Sequence, residues 1–428
     1  MRILKDLPEL VKADVINQET AARIQEYYKS KGSSSGNPLF IVFGILGAIL
    51  VGLGIILIMA HNWDELSRTT KTGLAFLPLL VGQGLCFYAL IKKQDNAAWC
   101  EAGSAFLFFA VGASIALVSQ IYNIPGSTGT FLLTWVLLCL PLVYLMKASI
   151  TSLLYIGGIT YYAIHLGYNS YSFSNSYLYW LLLSIILPHY YQLYQKKPES
   201  NFLIFHNWAI PLSLTIALVT VAKNTEELLF IAYFSLFSLF ISTGNLTFFT
   251  GQKLKNNGYR LIGSLGTLVV LFFLSFNWFW KNLRKETFSI TQLSTAPEFY
   301  AAVIISLLAG GLLIFQRKSK ASTGIPLLAP VFILFIFIFI AGLYSTAAVV
   351  LINLLILVIG IFTMKDGAEK NHLGILNLGL LIITALVLCR FFDTDLSFVI
   401  RGILFVFVGA GFFGANYWLL NKRKTNEQ

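Results

Sequence analysis

The sequence predicts an all-α fold: a polytopic integral membrane helical bundle of about 14 transmembrane helices behind a short N-terminal cytoplasmic helical hairpin. Three observations predict it. Of the 428 residues, 57% are hydrophobic and only 11% charged, where a soluble domain carries about a quarter charged residues. The charges cluster between uncharged stretches of about 20 residues, each able as a helix to cross the roughly 30 Å hydrocarbon core. No stretch shows the strict apolar/polar alternation of a membrane barrel strand. In lipid, helices and closed barrels alone satisfy every backbone N–H and C=O.

Residues 1–37 make the first region, a cytoplasmic hairpin and linker. Leu7, Leu10 and Val11 give one apolar face. Asn17 is placed to cap a second helix whose stripe is Ala21, Ile24, Tyr27 and Tyr28. The unit is too short to build a sizeable core and is expected to pack on the membrane surface or a partner. Gly32-Ser-Ser-Ser-Gly36-Asn-Pro38 follows as a flexible linker. It matches GxSxG formally, but a nucleophile elbow needs a strand before it and a helix after it. The polar start is not a cleavable signal peptide, so the first span is expected to insert the chain.

The membrane domain is expected over 38–421, with spans near 39–60, 72–91, 102–122, 130–146, 148–167, 177–195, 203–222, 228–249, 260–280, 299–316, 325–343, 346–364, 373–390 and 397–420. Residues 321–364 carry no charge, and one helix of about 40 residues would be roughly 60 Å long, twice the bilayer. A turn is therefore expected at Gly342, Tyr344 and Ser345. Lys147 alone separates the fourth and fifth spans. A basic tail, 422–428, closes the chain.

Lys and Arg set the orientation. With the N-terminus inside, 22 of the 30 fall in inner segments. The outer eight are Arg68, Lys71, Lys223, Lys281, Arg284, Lys285, Arg390 and Arg401. This asymmetry predicts both termini in the cytoplasm and an even span count. The same loops account for the net charge of +11, and no basic domain exists to bind nucleic acid. Trp63, Trp99, Trp180, Trp278, Trp280 and Trp418 lie near expected span ends, where aromatic belts form. Gly44, Ala48 and Gly52, and also Ala410 and Gly414, recur every four residues as small faces for helix packing.

Polar residues collect on the expected outer side. After the first span comes His61-Asn62-Trp63-Asp64-Glu65. The third ends Ser119-Gln120-Ile121-Tyr122-Asn123-Ile124-Pro125-Gly126. The last hairpin reads Arg390-Phe-Phe-Asp393-Thr-Asp395, with Arg401 just inside the final span. Asp64 and Glu65 are candidates for acid–base work or cation binding, or are an exposed turn beside a helix cap. Adjacent carboxylates on a helix diverge by about 100°. Gln120, Tyr122 and Asn123 form a pocket wall or a helix end satisfying its own carbonyls. Arg401 is costly inside a span unless paired or snorkelling; it is an anion or headgroup contact, or a structural arginine with Asp393, Asp395 or Asp64. His165, His189 and His206 each stand alone and read as interhelical hydrogen-bonders, as do Asn277, Asn353 and Asn377.

No metal or cofactor is expected. His61 and Glu65 have metal spacing without a third ligand, and no Walker loop, HExxH or row of buried carboxylates is present. Cys86, Cys100, Cys139 and Cys389 show neither disulfide nor zinc spacing.

The hairpin, HNWDEL, SQIYNIPG, the tryptophan of LLTWVLLCLPLVYL and FFDTDLSFVIRGILFVFVGAGFF together resemble a bacterial family of predicted membrane proteins, domain of unknown function 2157. The similarity covers mainly residues 1–160, with the last hairpin resembling longer members. It implies a bacterial inner membrane, no established activity, and a small membrane protein as neighbouring partner in some genomes. His61 stands where many members have a small residue.

The leading expectation is a transporter or flippase-like carrier in contact with membrane lipids. Its polar extracytoplasmic vestibule would be lined by Asn62, Trp63, Asp64, Glu65, Gln120, Tyr122, Asn123, Asp393 and Arg401. A membrane-embedded enzyme on lipid-linked or envelope substrates and a non-catalytic scaffold or sensor stand as the alternatives.

Overall fold

The structure, a computed structural model, describes residues 7–8, 10–13, 15–32, 63–169, 177–223, 225–249, 253–284, 295–318, 326–392 and most of 397–414. The expected first span, its small-residue face and most of the linker lie outside them. Two compact units, Met1–Ala75 and Phe76–Gln428, divide the chain.

The described residues are helical, with no strand among them. In the first unit, residues 7–8 and 10–12 are helical and Leu7 is buried. Helix α1, Gln18–Gly32, starts where Asn17 was expected to cap it: the Asn17 Oδ1 accepts from Thr20 N at 2.8 Å. A 3-10 turn, Trp63–Glu65, then precedes α2, Arg68–Lys92, which runs on into the second unit.

The second unit continues with α3 Ala97–Tyr122, α4 Thr128–Leu145, α5 Ser149–Asn169, α6 Leu178–Lys196, α7 Asn201–Leu218, α8 Leu229–Thr243, α9 Gly258–Leu274, α10 Asn277–Leu283, α11 Pro297–Lys318, α12 Val331–Tyr344, α13 Ala347–Glu369 and α14 Leu373–Phe391. A shorter apolar helix, Phe398–Gly411, follows. Among the described residues eight helices are long and apolar enough to cross a membrane, or nine if α9 and α10 form one broken span. Large apolar side chains such as Leu307, Phe337 and Val350 face outward, as lipid-facing positions must.

Capping chemistry explains most breaks. Asn96 accepts from Ala98 N and Trp99 N to start α3, and Ser127 accepts from Thr130 N to start α4. Lys147 adopts a left-handed φ of 50°, so the chain breaks there, as the single charge suggested. The next helix is capped from a distance: Glu101 accepts from Ser149 N at 2.8 Å and Ile150 N at 2.7 Å. Ser345 separates α12 from α13. Gly342, however, is not part of that turn; it is the flat spot against which Trp280 packs.

Two apolar cores share α8. Its Leu236, Phe237 and Phe240 pack with Phe108, Val136, Tyr155, Leu182 and Ile210. Its Phe234 and Ile241 pack with Leu271, Trp280, Phe335, Ile356 and Ile382. Polar groups on α8 and its neighbours tie it in place: Ser235 to Ser306 at 2.7 Å, Ser238 to Ala329 O at 2.5 Å, and Gln316 Nε2 to Ser242 O at 2.6 Å.

Three expectations are corrected. The span expected over 260–280 is broken, with α9 and α10 meeting at 75°. Trp280 causes much of this by folding its Nε1–H back to Leu274 O at 2.8 Å, in place of the next helical donor. Trp280 is thus a fully buried core residue, whereas Trp99 and Trp278 are exposed as belt residues should be. Ala410 and Gly414 are exposed, with nothing near the Gly414 Cβ position. Among the described residues a close small-residue seam lies between α13 and α14, where Gly360 meets Ile383, Gly367 meets Leu376 and Gly379 meets Met364.

Four helices, α2, α4, α6 and α7, carry an interior proline: Pro78, Pro141, Pro188 and Pro211.

Candidate functional site

A groove of about 1030 Å³ opens between α2, α3 and α4. One end is the turn joining α3 to α4, with Ser119, Pro125, Gly126, Ser127 and Thr128, and Thr130 and Thr134 continue it along α4. Toward the other end the wall becomes Leu138 and Leu142 of α4, Leu107 and Val111 of α3, and Leu79 of α2. Along α4, Thr128 to Leu142 spans roughly 21 Å at helical rise, more than one leaflet's share of the hydrocarbon. Ser114 and Gln83 also line the groove, and its lining contains no charged residue.

Local bonds hold the walls. The Trp135 indole N–H donates to Phe108 O at 2.7 Å, and its ring lies on Gly112, where a Cβ would come within 2.5 Å of Trp135 Cε2. The hydroxyls at the polar end are pre-set by their own helix: Ser127 and Thr130 share a bond of 2.5 Å, and the Thr134 hydroxyl donates to Thr130 O at 2.8 Å.

None of the described candidate site residues is among those lining this groove. Gln120, Tyr122 and Asn123 are exposed at the turn, but the lining comes from their neighbours Ser119, Ile124 and Ser127. Asn123 is left-handed, with φ 50°. Its N–H reaches Gln120 O at 3.4 Å and Ile124 N reaches Ser119 O at 2.9 Å, so this segment does satisfy its own helix end. Trp63 is half-buried, and Asp64 and Glu65 are exposed in their 3-10 turn. Ser67 supplies the cap, accepting from Thr70 N at 3.2 Å, and Lys71 lies 5.6 Å over the Trp63 ring. Arg401 is half-buried; it donates to Phe391 O at 3.1 Å and stacks on Phe398 at 4.8 Å. Asn62, His61, Asp393 and Asp395 lie outside the described residues.

Two polar clusters escaped the sequence reading. At the bend, Asn353 donates to Ser275 O at 3.0 Å, and Arg390 donates to the Ser275 hydroxyl at 3.1 Å while lying over Phe276. The second joins two histidines that sequence spacing left isolated. The rings of His189 and His206 are 6.0 Å apart, and Ser152 and Tyr190 complete the group. His206 does bond between helices, as expected of it. Its nearness to His189 arises because α6 and α7 are antiparallel neighbours across a short loop, a pairing that helical periodicity within either segment does not reveal.

No curated protein and no solved structure matches the chain. The stretch that forms α1 to α4 and the start of α5 does have a counterpart: residues 8–152 match the family described as a predicted membrane protein, DUF2157.

Proposed function

We propose that this protein is a flippase-like carrier of an amphiphile, with the groove between α2, α3 and α4 as its path. The carrying observation is the groove's chemistry: hydroxyl groups at one end, apolar walls beyond, and a lining with no charge. An amphiphile whose head is held by neutral hydrogen bonds matches such a surface, because a charged head would lose its hydration without gaining a partner. Interior prolines in α2 and α4 leave carbonyls free of their helical donors, which lowers the cost of bending the walls.

In this reading the chain has 14 spans in a bacterial inner membrane with both termini cytoplasmic, following the Lys and Arg distribution. The turn from Ser119 to Ser127 then faces outward. By the same charge distribution Asn62, Trp63, Asp64, Glu65, Gln120, Tyr122, Asn123, Asp393 and Arg401 fall on that outer side and are the candidate rim.

The test is lipid translocation by the purified full-length protein in liposomes, followed by dithionite quenching of fluorescent lipids with neutral and anionic heads. Translocation should favour the neutral-headed probe and stop when Thr134→Trp fills the groove. The rim is tested separately with Asp64→Asn and Arg401→Gln, which should slow transfer while leaving insertion intact. Absence of translocation for every probe by the unaltered protein, or full activity of the filled groove, would sink the carrier reading.

A further inference from the structure

We propose that His189 is a proton-binding site inside the membrane domain, with His206 held neutral beside it as its positioning partner. His206 is fully buried and His189 is 6% exposed. The hydrogen bonds of His206 fix its form. Its Nδ1 lies 2.7 Å from Phe202 O, and a carbonyl only accepts, so Nδ1 carries the hydrogen. Its Nε2 therefore accepts from the Ser152 hydroxyl at 2.9 Å. Both nitrogens of the neutral ring are thereby used.

His189 is different. Its Nε2 is buried and has no hydrogen-bond partner among the described residues, although buried polar groups are almost always bonded. In the tautomer that leaves Nε2 without hydrogen, this nitrogen is a buried acceptor with no donor, and ionisable groups inside a membrane domain are costly unless they do something.

The groups around it suit a site that loads and unloads. Tyr144 of α4 meets the ring edge-on with centroids 6.4 Å apart, and its hydroxyl donates to Ile185 O, one turn before His189. Tyr155 of α5 reaches Leu182 O on the same helix at 3.4 Å. From α7 comes His206, and on α6 itself Tyr190 stacks on that ring at 6.2 Å. None of these is a carboxylate, so an added proton meets aromatic faces rather than a resident anion and is only weakly held. Polar contacts continue toward the loop after α8: the Tyr190 hydroxyl donates to Asn207 Oδ1 at 2.7 Å, and Asn207 Nδ2 lies 3.4 Å from Asn256 O. The Lys and Arg distribution places that loop in the cytoplasm.

The test is solid-state NMR of the full-length protein, labelled with 15N-histidine, in lipid nanodiscs between pH 8 and pH 5, the range in which imidazoles change charge. The signal absent from His189→Gln should convert reversibly from the neutral to the doubly protonated form. The signal absent from His206→Gln should keep its neutral, Nδ1-protonated form over the same range. If glutamine at 189 disturbs packing, the His189 signal is assigned in the unaltered protein through its ring contact with Tyr144. A His189 signal that stays neutral throughout, or a proton that settles on His206 instead, overturns the proposal. The readout needs no transport activity, so failure of the carrier reading would leave it standing.

Discussion

Glu101 and Glu298 illustrate how a carboxylate is used where a helix begins. Glu101 holds the first two amides of α5, and buried Glu298 accepts from Lys223 N and from Thr225 N at 3.2 Å. Hydrogen bonds to a charged acceptor contribute about 1.5–3 kcal/mol, so Glu101→Ala should lower stability by about that amount and Glu101→Gln by roughly half. Thermal unfolding of the detergent-solubilised variants checks both, and equal melting temperatures would contradict the capping role. Neither contact was legible beforehand, because the partners lie 48 and 75 positions along the chain. Trp135 was legible as a motif residue, but its seat on Gly112 was not. Gly112→Ala should overpack this contact at a cost of about 1–3 kcal/mol. In combination with Trp135→Leu the costs should sum to less than the two separate losses, since each change removes what the other disturbs.

Helix placement was far easier to read than helix shape. Each expected span from 72–91 to 373–390 overlaps a described helix or helix pair, and eight of the described helices, or nine with the bent pair, are long and apolar enough to cross a membrane, because long apolar runs between charges set where such helices lie. The bend at Ser275 has no sequence breaker. It comes from Trp280 and Asn353 capturing carbonyls that a straight helix would keep, and Asn353 acts from α13. Asn353→Leu should leave Ser275 O without that donor and lower stability by about 1–3 kcal/mol, read from the same melting assay. Small-residue spacing misled in the other direction, since period four identifies a face without saying what meets it. Gly367→Leu should therefore force α13 away from α14 and destabilise the protein by about 1–3 kcal/mol. Gly414→Leu, which meets open space, should leave the melting temperature unchanged.

For the molecule as a membrane object, orientation is the most consequential expectation, and it rests on charge alone. In a variant freed of its four cysteines, a cysteine at Ser67 or Ser127 should react with an impermeant thiol reagent in intact cells. One at Ser319 should react only after permeabilisation, and the reverse pattern would turn the groove's polar end to the cytoplasm. At the turn after α3 the groove is lined by Ser119, Ile124 and Ser127, the neighbours of the candidates Gln120, Tyr122 and Asn123. Adjacent helix-end residues point in different directions, and only packing decides which of them meets a neighbour. The interior prolines carry one more implication. All four lie in α2, α4, α6 and α7, leaving the carbonyls of Leu74, Leu137, Ser184 and Asn207 without their regular helical N–H. From α8 to α14 the chain has proline only at helix starts and in the approach to α12. One half of the bundle is thus jointed while the other is stiff, so breathing measured by deuterium uptake should concentrate before residue 222, with the later helices serving as the frame against which the jointed ones flex.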